Sequence, residues 1–224
     1  MVVAERKPLN ELLEMVQPYK KILVAGCKGC VTVCNAGGRK EVEILASELR
    51  IARKKGGQEL ESDIQEITLE RQCDPEYMDQ LNDVIKDREA VLSIACSVGP
   101  QYIAGRFMDK MVFPGLNTTF IGGSLEHGVF AEFCQACGAC GIHKFGGLCP
   151  IARCSKSLLN GPCGGSANGK CEISKEVDCV WQLIYDRLKG LGQLDQLTRV
   201  IPCKDWTTSR DGGPRKSIRE DLKL

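Results

Sequence analysis

The sequence predicts an α/β chain in two parts: a small parallel-sheet domain, then a cysteine-rich domain that folds around metal. Three observations predict it. Short apolar runs alternate with amphipathic stretches from Leu9 to Ile121, the pattern of βαβ units. Eight of the fourteen cysteines then crowd between Cys134 and Cys179, where helical and strand periodicity both fade. A smaller group, Cys27, Cys30 and Cys34, follows directly on an apolar run that ends in Gly26.

Along the first part, Leu9, Leu12, Leu13 and Val16 share one helical face within Pro8–Val16, and Pro18 stops the pattern. Ile22–Ala25 is continuously apolar, as a strand buried on both faces must be. Between Arg39 and Arg53 a stripe of Val42, Leu45, Ala46, Leu49 and Ala52 predicts a long helix, closed by a basic last turn and Gly56-Gly57. Ile64–Leu69 reads as a second strand, and Pro75–Lys86 as a helix with Met78, Leu81 and Ile85 inward. Ala90–Ala95 is the third strand, Gln101–Met111 the next helix and Thr118–Ile121 a fourth strand. Together they predict a three-layer domain of the flavodoxin or Rossmann kind over residues 1–127.

Residues 128–224 then form the cysteine-rich metal-binding domain. Residues 134–171 are too poor in apolar side chains to fold unaided, so metal ligation must supply the stabilisation. A helix over Glu176–Lys189 carries Val177, Trp181, Ile184 and Leu188 on one face, and a polar tail suited to docking a partner follows Pro202.

A net charge of +1 gives no electrostatic reason to expect nucleic acid or an anionic membrane, and aromatics at 5% are too few for base stacking. Met1–Pro8 lacks the apolar core of a secretory signal. The longest uncharged stretches, Val91–Gly105 and Met111–Leu125, fall short of the roughly 20 apolar residues a membrane span needs. The expectation is a cytoplasmic chain whose thiols stay reduced and bind metal.

In open α/β sheets, ligands sit beyond the carboxyl ends of the strands. Cys27, Cys30 and Cys34 lie after the first strand, Cys73 after the second and Cys96 directly after the third. With strand order 2-1-3, all five thiols converge. Three from one loop and one from a neighbouring strand end would hold a [4Fe–4S] cluster; Cys96 is the preferred fourth ligand and Cys73 the runner-up. Either of the last two has the alternative of being a small buried hydrophobe.

In the second group, Cys134-x2-Cys137-x2-Cys140 repeats half of a bacterial ferredoxin run, and Cys149-Pro150 resembles its end. Cys149 is the expected fourth ligand of a second cluster, with Cys154 as the alternative. Cys154, Cys163, Cys171 and Cys179 make a further set of four, open to zinc or another cluster. Cys203 stands alone and reads as a bystander. His127 and His143 sit on loops flanking the group; either could replace a thiolate, but both read as surface or packing residues. Gly37-Gly38 and Gly122-Gly123 form no dinucleotide fingerprint, and Ser97, Ser124 and Asp74 have no catalytic partner in sequence.

Several of these segments resemble a known family. Cys27-x2-Cys30-Val-Thr-Val-Cys34 before Gly37-Gly38, Glu70-Arg71-Gln72-Cys73 and Ala95-Cys96 are similar to the MetV-type small subunit of acetogen methylenetetrahydrofolate reductases. So are Leu148-Cys149-Pro150, Leu159-Asn160-Gly161-Pro162-Cys163-Gly164-Gly165, Trp181-x2-Ile184-Tyr185-x-Arg187-Leu188 and Lys204-Asp205-Trp206. The resemblance implies an electron-transfer subunit of the Wood–Ljungdahl route. Its clusters would feed the FMN of a (β/α)8 catalytic subunit that reduces methylenetetrahydrofolate to methyltetrahydrofolate. Further electron-donor subunits are compatible with that role. The alternative is a zinc-braced assembly subunit without redox function.

Overall fold

A computed structural model describes residues 1–57 and 63–223. The chain divides into two compact units, Met1–Phe130 and Ala131–Leu224.

The first unit begins with β1 (Val2–Arg6), α1 (Leu9–Val16) and β2 (Lys21–Cys27). A short turn of helix, α2 (Cys30–Val33), leads to the long α3 (Arg39–Lys55) and β3 (Asp63–Leu69). Two more short turns, α4 (Pro75–Met78) and α5 (Leu81–Val84), precede β4 (Ala90–Ile94) and α6 (Val98–Arg106). The strands β5 (Met111–Pro114), β6 (Leu116–Glu126) and β7 (Val129–Cys134) follow.

A four-stranded parallel sheet has the order β3-β2-β4-β5. Its first three strands stand in the expected 2-1-3 arrangement. Side chains alternate across β2 as the pleat requires. Ile22 and Val24 join a core with Leu12, Val16, Val42, Leu45 and Leu49 of α1 and α3. Leu23 and Ala25 join Met78, Leu81, Ile85 and Ile103 on the opposite face. Both faces are thus covered, which explains why β2 and β4 are apolar without alternation.

Three expectations need correction. The second sheet, antiparallel and ordered β1-β6-β7, was not anticipated. Val2–Arg6 is short and half charged, yet it pairs with Leu116–Ile121 across a bulge at Val3/Ala4. The expected strand Thr118–Ile121 therefore belongs to this second sheet, and the fourth parallel strand is Met111–Pro114. That strand is only 4 residues long and ends in proline, a signal too weak to read. The stretch Pro75–Lys86 is broken at Asp79–Gln80, although Met78, Leu81 and Ile85 are buried as expected.

Arg53, in the last turn of α3, is only 6% exposed. Its guanidinium donates to the carbonyls of Val16, Tyr19 and Lys20. It thereby satisfies acceptors left open where α1 ends.

In the second unit, α7 (Pro150–Arg153) and α8 (Val180–Gly190) are joined by turns and isolated β-bridges, with short 3-10 segments before α7 and after α8. The core is small. Phe145, Val180, Trp181, Ile184 and Leu188 gather around α8, and Phe145 meets Trp181 edge-on at 5.7 Å. The helix starts later than expected, with Cys179 at its N-cap. Val177 lies outside it and is exposed, because the Val177 carbonyl accepts from the Cys171 amide instead. Among the described residues, no helix is long and apolar enough to cross a membrane.

Candidate functional site

All fourteen cysteines lie among the described residues and are free thiols. In the first unit their positions follow from strand register. Cys27 pairs with Leu69 of β3, and Gly26 pairs with Ile94 of β4. Cys96 therefore stands just beyond Cys27 along the same edge, while the Lys28 amide extends the ladder to the Leu69 carbonyl. Four residues later the chain presents Cys73. Gly29 brings Cys30 in: a Cβ there would lie 3.4 Å from Cys27 Sγ and 3.9 Å from Arg71 Cγ.

The Cys73 thiol is held above its ordinary pKa, first by burial and then by the neighbouring thiols of Cys27 and Cys96, with Cys30 adding to the shift. The thiols of Cys27, Cys30 and Cys96 thus all act on Cys73 at the carboxyl edge of the sheet. Cys34 is differently disposed from the expected trio. Its thiol donates to the carbonyls of Cys30 at 3.5 Å and Val2 at 3.7 Å. It lines an open cleft with Val3–Arg6 of β1. Both Cys73 and Cys96, proposed as alternatives to each other, are found at the Cys27/Cys30 edge.

A polar brace lies under this edge. Gln72, fully buried, donates from Nε2 to the carbonyls of Ala25 and Gly26, both at 2.9 Å. Its Oε1 accepts from the Ser93 hydroxyl at 2.6 Å. Nothing in the spacing of the sequence marks it; only its place between β3 and Cys73 distinguishes it from a surface glutamine. Gly37 closes the loop from the other side, its carbonyl accepting from the Cys27 amide at 2.9 Å.

In the second unit, Cys134, Cys137, Cys140, Cys149 and Cys203 line one cavity of about 490 Å³. Phe133, Phe145 and Ile151 supply its apolar wall. Cys203, a bystander by its spacing, belongs to this cavity, and a side-chain clamp explains its presence. Asn160 donates to the Ile201 carbonyl at 2.9 Å and accepts from the Ile201 amide at 2.7 Å. The strand-like pair pins residues 201–205 beside the loop. Thr208 then donates to the Cys137 carbonyl, and Arg215 to that of Ala136. No signal in the sequence announces such a clamp.

The Cys149 sulfur accepts from the Ala152 amide at 3.4 Å. Cys154 lies outside the cavity and packs against the α8 core. It approaches Cys163 through Lys156, whose ammonium is stabilised above all by Glu172, with both thiols contributing. The Cys163 thiol donates to Glu172 at 3.2 Å. That carboxylate occupies the space where Gly165 lacks a side chain, which accounts for the glycine at the end of the Asn-Gly-Pro-Cys-Gly-Gly stretch.

Burial opposes ionisation of Cys179, but hydrogen bonds from the Ser166 hydroxyl and the Gln182 and Trp181 amides outweigh it and lower the thiol's pKa. Cys171 is half-buried in the same turn-rich segment. His127 and His143 are both exposed.

The donor chemistry suits soft metal centres, since thiolates are the ligands of iron–sulfur clusters and of structural zinc. Among the described residues, however, no three His, Cys, Asp or Glu side chains are already drawn together closely enough to hold a metal ion. The thiols are neighbours at an edge and around a cavity, not a finished coordination sphere.

No curated protein and no solved structure matches the chain. Residues 113–207 do match a family model, and that stretch contains every cysteine of the five-thiol cavity. This portion of the chain is similar to the family described as "Methylene-tetrahydrofolate reductase C terminal", and is in that sense reductase-related.

Proposed function

We propose that this chain is the iron–sulfur electron-transfer subunit of a methylenetetrahydrofolate reductase complex. The reading is carried by one coincidence: residues 113–207 are similar to a reductase C-terminal family and enclose a cavity lined by five free thiols. Bound there or at the strand-end thiols, an iron–sulfur cluster supplies a reversible one-electron carrier.

The chain's own residues have three tasks in this function. Cys134, Cys137, Cys140 and Cys149, with Cys203 facing them, provide the thiolates of one centre; Phe133, Phe145 and Ile151 keep water from its wall. The strand-end thiols provide a second. Cys154, Cys163, Cys171 and Cys179 suit zinc or a further cluster, bracing the turns that precede α8. We assign reduction of the folate itself to a partner. That partner is a flavin-containing catalytic subunit, to whose FMN the clusters deliver electrons. Fourteen free thiols fit a reducing cytoplasm.

Anaerobic purification of the full chain tests the reading. Iron and acid-labile sulfide in equal amounts, with an EPR signal on dithionite reduction, are expected. A colourless protein containing only zinc would replace it with the zinc-braced assembly role. Transfer is tested by mixing the reduced chain with the flavin subunit and following bleaching of the FMN absorbance.

A further inference from the structure

We propose that Gln72 is the positioning residue of the strand-end site, gathering Cys27, Cys30, Cys73 and Cys96 into one four-thiol set from which Cys34 is excluded. The proposal rests on the metal-binding reading above.

Three parallel strands end at this edge, and their chains must be held level if thiols from separate loops are to meet one metal centre. Backbone ladders do this up to Cys27, Leu69 and Ile94. Beyond those residues the main chains diverge into loops, and the Gln72 amide, itself in the loop after β3, reaches back to the last rungs of β2 and β4. Each of its N–H bonds is spent on a β2 carbonyl, at Ala25 and Gly26, and its oxygen holds Ser93 of β4. One side chain from the segment after β3 thereby ties all three strand ends together.

The site around Gln72 is built closely. A Cβ on Gly99 of α6 would lie 2.7 Å from Gln72 Oε1 and 2.7 Å from Ala95 Cβ. The residue that follows Gln72 is Cys73, and the residue that follows Ala95 is Cys96. Fixing Gln72 and Ala95 therefore fixes the two thiols that come from outside the Cys27 loop. A buried amide with every polar atom satisfied is rigid and costly to displace, as a support for metal ligands should be. Cys34 has no share in it. From the C-cap of α2 its thiol donates to the carbonyls of Cys30 and Val2, and it lines the cleft beside β1.

The test uses the reduced full chain under anaerobic conditions with Co²⁺ as probe, reading thiolate-to-cobalt charge-transfer absorbance. Cys73→Ser and Cys96→Ser should each lower the strand-end contribution by about a quarter, one thiolate of four. Cys34→Ser should leave it unchanged. Gln72→Met keeps length and volume but loses the three hydrogen bonds, and should weaken strand-end Co²⁺ affinity by about tenfold or more. Ser93→Ala removes only the far bond, touches no cysteine-bearing loop and keeps the test open should Gln72→Met fail to fold. It should weaken affinity by a smaller factor at an unchanged far-ultraviolet spectrum.

Loss of absorbance in Cys34→Ser together with none in Cys73→Ser would overturn the four-thiol set. Wild-type affinity in both Gln72→Met and Ser93→Ala would overturn the positioning role. Reconstitution with Fe²⁺ and sulfide separates the two levels. If no cluster forms while the cobalt results follow the pattern above, the electron-transfer reading fails and the thiol grouping stands.

Discussion

Replacing Gly37 by alanine probes the packing that holds the Cys27 loop against β4. The added Cβ would stand 1.9 Å from the Ile94 carbonyl oxygen and 2.9 Å from Val31 Cγ2. A carbon and a carbonyl oxygen tolerate about 3.3 Å, so the loop must withdraw by about 1.4 Å. Ile94 is fully buried in the central strand and cannot yield. Overpacking of this kind costs about 1–3 kcal/mol. Withdrawal also strains the bond from the Cys27 amide to the Gly37 carbonyl, worth about 1 kcal/mol. Alanine lowers the entropy of the unfolded chain by only about 0.4–1 kcal/mol in compensation. The net loss is about 1–3.5 kcal/mol, a sizeable share of a stability of roughly 5–15 kcal/mol, and should lower the melting temperature of the first unit by about 3–15 °C. Gly105→Ala is the internal control. A Cβ there meets nothing within 4 Å, and helix α6 should gain up to about 1 kcal/mol. Differential scanning calorimetry of both variants decides the matter. A Gly37→Ala chain melting within about 2 °C of wild type, or a Gly105→Ala chain falling equally far, would refute the reasoning.

Three further outcomes are expected. Arg53→Met should destabilise by about 2–3 kcal/mol, because three carbonyls lose a charged donor; the midpoint of urea unfolding measures it, and a change in the slope alone would not count. Glu89 accepts from the Lys20 and Lys21 amides, and these bonds hold its carboxyl below the usual range. A depressed carboxyl stabilises the fold above its unfolded value and loses that contribution as pH falls through the folded value. Glu89→Gln should thus be weaker than wild type at pH 7, with the gap closing below about pH 4 in parallel urea titrations; a constant gap would contradict the sign. Asn160→Ala removes both bonds to Ile201. Hydrogen exchange of residues 200–205 and alkylation of Cys203 should both accelerate by about tenfold, equivalent to about 1–2 kcal/mol of local stability.

The parallel sheet was legible because its strands are buried on both faces, and burial writes itself as continuous apolar runs at Ile22–Ala25 and Ala90–Ile94. The convergence of Cys27, Cys73 and Cys96 was legible on the premise of a 2-1-3 strand order, which the sheet has. What escaped was set by contacts distant in sequence. Val2–Arg6 becomes a strand only because Leu116–Ile121 is there to pair with it. Cys34 sits three residues from Val31 and looks like its neighbours in spacing, yet one short turn of helix points it at β1. Cys203 joins a cavity through a side-chain clamp that spans 41 residues, from Asn160 to Ile201. The family similarity spans the motifs from Leu148 to Trp206 and leaves those around Cys27, Cys73 and Cys96 outside it; for these, strand register is the main support.

The two thiol groups are held by different physics, and metal removal should separate them. The strand-end group rests on a sheet with a core on each face, built from residues such as Leu23, Leu45, Leu92 and Ile103 that are fully buried. That scaffold stands without metal. In the second unit, buried apolar residues cluster on α8, while the turns carrying Cys134 to Cys171 are tied mainly by single hydrogen bonds and ion pairs such as Lys170–Asp178. Exposed pairs of this kind contribute at most about 1 kcal/mol each. Ligation would supply what the core lacks. Hydrogen exchange of the full chain, with and without exhaustive chelation, should therefore show β2, β3 and β4 protected in both states. Residues 134–171 should exchange near the free-peptide rate only when metal is gone. Equal protection of that segment in both states would mean that its turns fold on hydrogen bonds alone and that metal there serves redox chemistry without bracing the structure.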